Sequence, residues 1–332
     1  MSMPALQTQP QAQSPSVKAE DLSVVVVTWN TRELTRNCLR SVLDNAGTLA
    51  LELFVIDNAS DDGSAQMIRE EFPSAKLIRN DRNRGFAAAN NQALGLTSGR
   101  YILLLNSDTL ILSDVLQKSV QYMDEHSVVG VFGCRVLNPD RTLQPTCFEY
   151  PSLLNLFLLT SGLSRLSWPR FFGKYLMSGW NRDSEREVDV VTGCYMFIRQ
   201  AALREVGFMD EAFFFFAEET DWCKSFRKRG WSVRFAPVGQ IIHYGGASIK
   251  LIDQGRGILL THALIAFHRK HGGPIAAFLA WALLLIFNVS RYIGWLLIWA
   301  FGRSDKAARR RDQFKEILIN FPSIWKSAEA YR

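Results

Sequence analysis

The sequence predicts an α/β fold, a sheet flanked by helices, followed by a hydrophobic helical segment. Three observations carry that expectation. From Leu22 onward, short apolar runs alternate with amphipathic stretches, the pattern of strands and helices layered around one core. Several apolar runs stop on Asn or Asp, and open α/β sheets bind ligands beyond the carboxyl ends of their strands. Residues 275–302 are the most apolar stretch of the chain, bracketed by Arg269-Lys270-His271 and by the arginines from Arg303 to Arg311.

The elements follow in order. Residues 1–20 are rich in Gln, Pro, Ser and Ala with no apolar core, so they are expected to be a disordered tail and not a signal peptide. "LSVVVVTWN" predicts a buried strand ending at Asn30. Leu34, Cys38, Leu39, Val42 and Leu43 then recur at helical spacing, with Thr31 placed to cap the start and Gly47 to end it. "LELFVIDNASDDGS" repeats the grammar of a strand, a carboxylate at its end and a polar loop. "AKLIRN", "YILLLNSD" and "VVGVFGC" are further strands, separated by helices near residues 64–72, 86–96 and 113–125. "SLLNLFLLTSGLSRLSWPRFFGKYLMSGW" reads as an apolar-aromatic excursion, neither clean sheet nor helix. "VDVVTGCYMFIRQ" returns to strand periodicity, with a helix starting at Gln200.

At 332 residues the chain holds one large domain plus an appendage, here expected as 21–270 and 271–332. A net charge of +6 calls for an anionic partner. The basic clusters flank an apolar segment instead of forming an aromatic-studded groove, which favours a membrane surface and disfavours nucleic acid. Five scattered cysteines without a CxxC pair fit buried thiols in a reducing compartment. No GxxxxGK[ST] or GxGxxG is present, so neither a P-loop ATPase nor a dinucleotide-binding Rossmann enzyme is expected.

Thr28, Asn30, Asp57, Asn106 and Asp108 follow successive apolar strands and are candidates to converge on one crevice; each alone is also an ordinary turn residue. In "AEETDWCKSF", Glu219, Trp222, Cys223 and Phe226 fall at i, i+3, i+4 and i+7, which turns Glu219 toward the apolar face of a helix at its start. Burial raises a carboxyl pKa and a helix N-terminus lowers it, a compromise suited to a general base. The plainer account is that Glu218, Glu219 and Asp221 favour the positive helix end. His243 ends another apolar run, beside paired glycines, and with Asp108 could form an oxygen-plus-imidazole site for manganese or magnesium.

The segments "SVVVVTWN", "VIDNASDDGS", "NRGFAAANNQAL", "LLLNSDT", "VTGCYMFIRQAALREVGFMDEAFF", "AEETDW" and "HYGGAS" occur in this order. Together they resemble the family-two inverting glycosyltransferases, particularly the bacterial rhamnosyltransferase-like branch, over roughly residues 22–270. The resemblance implies a GT-A fold with a mixed sheet that binds a nucleotide-diphosphate sugar and Mg2+ or Mn2+. It implies that Thr28 and Asn30 border the nucleotide, that Asp57 accepts a hydrogen bond from the base, and that Asn83 and Gly85 lie near the donor. "NSD" stands where the family carries an Asp-x-Asp metal motif, leaving Asp108 as the acid, His243 as its metal partner, and Asn106 and Ser107 as neutral donor contacts. "EE" stands where the family carries Glu-Asp, making Glu219 the expected base, with Gly193, Cys194, Glu218 and Trp222 on the acceptor side. The branch points to deoxythymidine-diphosphate rhamnose as donor, with uridine-diphosphate sugars next. A nucleotidyltransferase would need a glycine- and basic-rich loop that "TWNTRELTRN" lacks. An inactive membrane-associated scaffold is the alternative of another class, argued by the single acid in "NSD".

Residues 275–302 would span about 42 Å as one straight helix, longer than a hydrocarbon core of roughly 30 Å. Arg291 lies within it, and arginine at mid-bilayer costs roughly 2.5–3.5 kcal/mol. The expectation is a break near Asn288 to Arg291 and a re-entrant or interfacial anchor, ahead of a single tilted span and of a soluble packing or homodimer helix. An anchor at the cytoplasmic face of the inner membrane would serve a lipid-linked saccharide acceptor.

Overall fold

The β-branched run from Val24 to Val27 makes β1 (Leu22–Thr28) a central strand. Leu22, Val24 and Val26 point into one helical layer and Val25 into the other, so both faces of the sheet are covered. The computed structural model describes residues 20–165, 173, 175–246 and 255–325. The expected tail, apart from Glu20, lies outside them.

After β1 the chain runs α1 (Arg32–Asp44), β2 (Leu51–Asp57), α2 (Ser64–Glu71), β3 (Lys76–Arg79), α3 (Phe86–Leu94), β4 (Tyr101–Asn106), β5 (Thr109–Ile111), α4 (Val115–Glu125) and β6 (Val129–Leu137). Then come β7 (Cys147–Phe148), α5 (Leu153–Ser161), β8 (Arg186–Glu187), β9 (Val190–Val191), β10 (Tyr195–Arg199), α6 (Gln200–Val206), α7 (Glu218–Lys228) and β11 (Ser232–His243). Two long helices close the chain, α8 (Arg256–Gly302) and α9 (Asp305–Ile324). Among the described residues the main sheet has the order β3-β2-β1-β4-β10-β6-β11-β5, with β8 also on β11. The first four strands are parallel and β10 is antiparallel to both β4 and β6, giving the mixed sheet expected. The order reverses between β2 and β4 around β1, which opens a crevice at their carboxyl ends.

Some local expectations change. β1 ends at Thr28, two residues early, because Asn30 takes a left-handed φ of 52°. Thr31 stands at the start of α1 but makes no cap hydrogen bond; its hydroxyl goes to other side chains instead. Gly47 lies beyond the helix, which ends at Asp44. The first part of the apolar excursion is helix α5, capped by Ser152 accepting from Asn155 N at 3.2 Å. Residues 166–172 and 174 of that stretch lie outside the described residues. The strand expected over "VDVVTGCYMFIRQ" is split into β9 and β10 by Thr192-Gly193-Cys194. All five cysteines are buried and free.

The largest correction concerns the C-terminal helix. It does not break near Asn288 to Arg291; it breaks at Gly273, where φ is 78° and ψ −173°. A glycine adopts that conformation without a Cβ clash, and Pro274 then begins the next limb where a missing N–H costs nothing. Asn288 forces no break because it is buried and donates to the Leu284 carbonyl at 2.7 Å within the helix. Arg291 lays its guanidinium over Phe287 at 5.2 Å. The helix is long and apolar enough to cross a membrane by length and composition.

Candidate active site

The carboxyl ends of β1 and β2 form the first wall. Asp57 is fully buried; its Oδ1 accepts from Ser60 N at 3.1 Å, and its Oδ2 has no hydrogen-bond donor, with Arg79 Nε 3.4 Å away. A buried carboxylate oxygen with spare acceptor capacity suits a ligand N–H. Beside it is an open cleft of about 450 Å³ lined by Ala59, Ser60, Arg79, Asn80 and Asp81. Asn30 braces the wall: its N–H donates to Ser60 Oγ at 3.0 Å and its Oδ1 accepts from Asp61 N at 2.9 Å.

Asn83 and Gly85 shape the next loop. Asn83 Oδ1 accepts from Asn58 Nδ2 at 2.7 Å and from Gly85 N at 2.9 Å. Gly85 has φ 81°, and a Cβ there would lie 2.4 Å from the Phe214 carbonyl oxygen. Only glycine permits this contact with the loop preceding α7.

The second wall is built by strand pairing. The turn after β4 carries Ser107 and Asp108, and β5 runs antiparallel to β11 with His243 opposite Thr109. That register sets His243 Nε2 3.2 Å from Asp108 Oδ1 and 3.2 Å from Asn106 Nδ2. On the other side of the ring, Nδ1 is 2.6 Å from Gln144 Oε1. An amide oxygen only accepts, so Nδ1 carries a proton toward Gln144, and Nε2 faces Asp108. An imidazole nitrogen and a carboxylate oxygen facing each other at that distance fit a shared cation, and a ring held through its other nitrogen is the usual support of a metal-binding histidine. Among the described residues no group of three or more His, Cys, Asp or Glu could hold a metal. Two protein ligands suffice for an ion whose remaining partners are water and substrate phosphate.

The third wall is the start of α7. Ala217 and Phe216 are left-handed, and the helix opens directly on Glu218 and Glu219. Glu218 is buried and Glu219 half-buried, and each has a buried Oε2 with no hydrogen-bond partner. Burial, and then the Glu219 charge, pushes the Glu218 carboxyl well above the usual carboxylate range; burial also raises Glu219. The pair therefore holds protons at a pH where exposed carboxylates do not. Burial pushes the Cys194 thiol up to about 12.

Several of the expected contact residues are buried. Cys194 is buried beside Thr192 Oγ1 at 3.3 Å, while its carbonyl accepts from Asn106 N at 3.4 Å. Trp222 is buried with its Nε1 donating to the Gly207 carbonyl at 2.9 Å. Both side chains are buried where α7 and β10 pack. Gly193 packs against Phe86, whose ring would lie 3.0 Å from an added Cβ. Thr28 is also buried, in a hydroxyl cluster with Thr31 at 3.1 Å and Thr35 at 2.7 Å, and Thr31 reaches Ser107 at 3.0 Å. This cluster joins β1, α1 and the turn holding Asp108.

Sequence reasoning missed Gln144, Asn58 and the partners of Asp221. Asp221 on α7 is 2.8 Å from both Lys270 Nζ and His271 Nε2 on α8. None of these shows a local periodicity; only "DRTLQPT", a polar turn in an apolar neighbourhood, marks the region of Gln144.

The fold and this crevice define a GT-A glycosyltransferase. The model of the family described as "Glycosyl transferase family 2" matches residues 23–207, more than half of the chain, and the chain belongs to that family. The N-acetylglucosaminyl-diphospho-decaprenol L-rhamnosyltransferase of Mycobacterium tuberculosis is 23% identical over 279 residues, covering 79% of this chain and 89% of that protein. The mannosyltransferase PcManGT from Pyrobaculum calidifontis, solved with GDP-Man and Mn2+, has a TM-score of 0.52 at 16% identity over 94% of this chain and 90% of that one. GalNAc-T7, solved with UDP, GalNAc and Mn2+, has a TM-score of 0.51 at 14% identity over 68% of this chain and 44% of that one. These two likenesses show the fold.

Proposed function

We propose that this glycosyltransferase inverts the anomeric carbon of a nucleotide-diphosphate sugar as it transfers the sugar to a hydroxyl of a lipid-linked glycan. The proposed place is the cytoplasmic face of the inner membrane. The reading rests chiefly on one observation, the Asp108–His243 pair at 3.2 Å with His243 oriented from behind by Gln144. Deoxythymidine-diphosphate rhamnose is the proposed donor, supported by the mycobacterial relative, whose name specifies an L-rhamnosyl transfer to a lipid-linked N-acetylglucosamine.

In this scheme Asp57 Oδ2 accepts from the nucleobase, and Asn30, Asn83 and Gly85 hold the loops that border it. Asp108 and His243 Nε2 would hold Mg2+ or Mn2+, and the ion would supply Lewis-acid neutralisation of diphosphate charge. Glu219 accepts the proton of the acceptor hydroxyl. The hydroxyl oxygen bonds to the anomeric carbon from the side opposite the diphosphate, and the bond from that carbon to the diphosphate oxygen breaks. One carboxylate base is enough because no glycosyl-enzyme intermediate forms. Burial of the Glu218–Glu219 pair raises proton affinity, which favours this capture.

A thermal-shift and donor-hydrolysis panel of nucleotide sugars, each with and without manganese or magnesium, tests the reading. Selective response to the thymidine-diphosphate sugar plus metal supports it. Selective response to a uridine-diphosphate sugar moves the donor assignment, and no response to any nucleotide sugar favours a binding or scaffold role.

A further inference from the structure

The limb of α8 over 274–302 carries an apolar stripe that no described residue covers. Six of the limb's ten exposed large hydrophobic residues, Ile275, Leu279, Ile286, Ile293, Leu297 and Phe301, form it. At about 100° per residue they fall within about 80° of one another, and the stripe is roughly 39 Å long. Its opposite side is packed: Ala277, Ala280 and Leu284 form a core with Ile317 and Phe321 of α9. Arg291 lies about 160° around the helix from Ile293, away from the stripe.

We infer that the 274–302 limb lies in the plane of an anionic lipid leaflet, stripe inward and α9 on the water side, and does not cross the bilayer. The inference deepens the membrane association proposed above and rests on it. Its decisive feature is where α9 sits. Trp281 meets Phe321 at 5.5 Å and Phe287 meets Phe314 at 6.2 Å, while Arg311 lies over Trp299 at 4.2 Å. As the positions rise along α8 they fall along α9, so α9 runs antiparallel beside the limb. Phe314 therefore stands opposite the middle of the limb, next in sequence to Lys315 and Glu316. If the limb spanned a bilayer, Lys315 and Glu316 would be drawn into hydrocarbon, where each is strongly disfavoured. Lying flat removes that cost while still burying the stripe.

The charge of the return helix selects the lipid. Residues 303–316 hold six basic and three acidic side chains, and Arg303, Lys306, Arg309 and Arg310 are exposed. Basic residues beside an interfacial helix are drawn to an anionic surface. The joint with the catalytic helix is short. Lys270 and His271, just before the break at Gly273, both contact Asp221 on α7 at 2.8 Å. A flat limb thus fixes the start of α7, with Glu219, relative to the leaflet that carries a lipid-linked acceptor.

The test adds the full chain to preformed vesicles of phosphatidylcholine alone or mixed with phosphatidylglycerol. Ile275→Cys, Ile286→Cys and Phe301→Cys variants carry an environment-sensitive dye, and lipids spin-labelled at shallow or deep positions quench it. The expected result is binding roughly tenfold tighter to the anionic vesicles, with all three sites quenched alike by the shallow label. Ile286→Asp with Ile293→Asp, at exposed positions, should lose most binding while keeping its circular dichroism. Deepest quenching at Ile286→Cys, with Ile275→Cys and Phe301→Cys at opposite faces, overturns the orientation but leaves membrane association standing. Equal binding to neutral vesicles overturns the lipid selection. A chain that ignores both vesicles and sediments as a dimer overturns both readings.

Discussion

His243 and Gln144 are joined twice: the ring Nδ1 donates to Gln144 Oε1 at 2.6 Å, and Gln144 Nε2 donates to the His243 carbonyl at 3.1 Å. Gln144 Nε2 also donates to Asn138 Oδ1 at 2.8 Å, which anchors the amide from behind. One side chain therefore sets both the backbone and the tautomer of the residue proposed to bind metal. Gln144→Ala should weaken Mn2+ binding by roughly 10–100-fold, the usual cost of losing such a support. Titration calorimetry or the Mn2+ paramagnetic resonance signal reads this without turnover, and unchanged affinity would remove Gln144 from the site.

The proposed base and the proposed metal ligand should separate kinetically. Glu219→Gln keeps the shape of the side chain and removes the proton acceptor, with an expected loss of roughly 10²–10⁴ in kcat and donor binding preserved. Asp108→Asn should instead lose metal-dependent donor binding, and Asn106→Ala should cost far less than Asp108→Asn. Near-normal turnover by both acidic-site variants would sink the mechanism.

The Glu218–Glu219 pair makes a pH prediction. Both carboxyls are raised by burial, and Glu218 further by its neighbour's charge. A base must be ionised to act, so kcat/KM should rise with pH along a limb above the ordinary glutamate value of about 4.3. Burial, not the Glu218 charge, raises Glu219, so Glu218→Gln should leave that limb in place. A limb that moves to lower pH in Glu218→Gln would mean that the Glu218 charge bears on the base.

At the opposite end of the sheet, Glu52 ties strand starts together. Its carboxylate accepts from Ser23 Oγ at 2.6 Å, Ser98 N at 2.6 Å and Lys76 Nζ at 2.6 Å. Burial alone would raise its pKa, but these donors outweigh burial and hold it at about 2. A depressed carboxyl stabilises the fold above its unfolded value of about 4.3 and loses that contribution as pH falls toward 2. The melting temperature should fall across that window in the parent chain and change less there in Glu52→Gln, as scanning calorimetry would show. Parallel pH curves would contradict it.

The alternation of apolar runs with helical periodicity, and the Asn or Asp at each strand end, were legible in local sequence. They mark the layered fold, most helices within two or three residues, the inward-facing start of α7 and the apolar tail. Local pattern works there because strand and helix periods are written residue by residue, with each side chain's direction following from its position. The partners of those side chains were not legible. His243 meets Asp108 because β11 and β5 are antiparallel neighbours, and Gln144 reaches His243 through a turn far away in sequence. Trp222 and Cys194 are buried, and the helical and strand patterns that flagged them are also the patterns of core packing. In the tail, hydropathy alone favoured a break at the polar residues, but Asn288 is satisfied within its own helix and the chain bends at Gly273. The sequence by itself determined which segments are apolar and where the carboxylates stand. Tertiary structure decided which carboxylate faces which histidine and which helix side is left bare, because those contacts join residues that no local period relates.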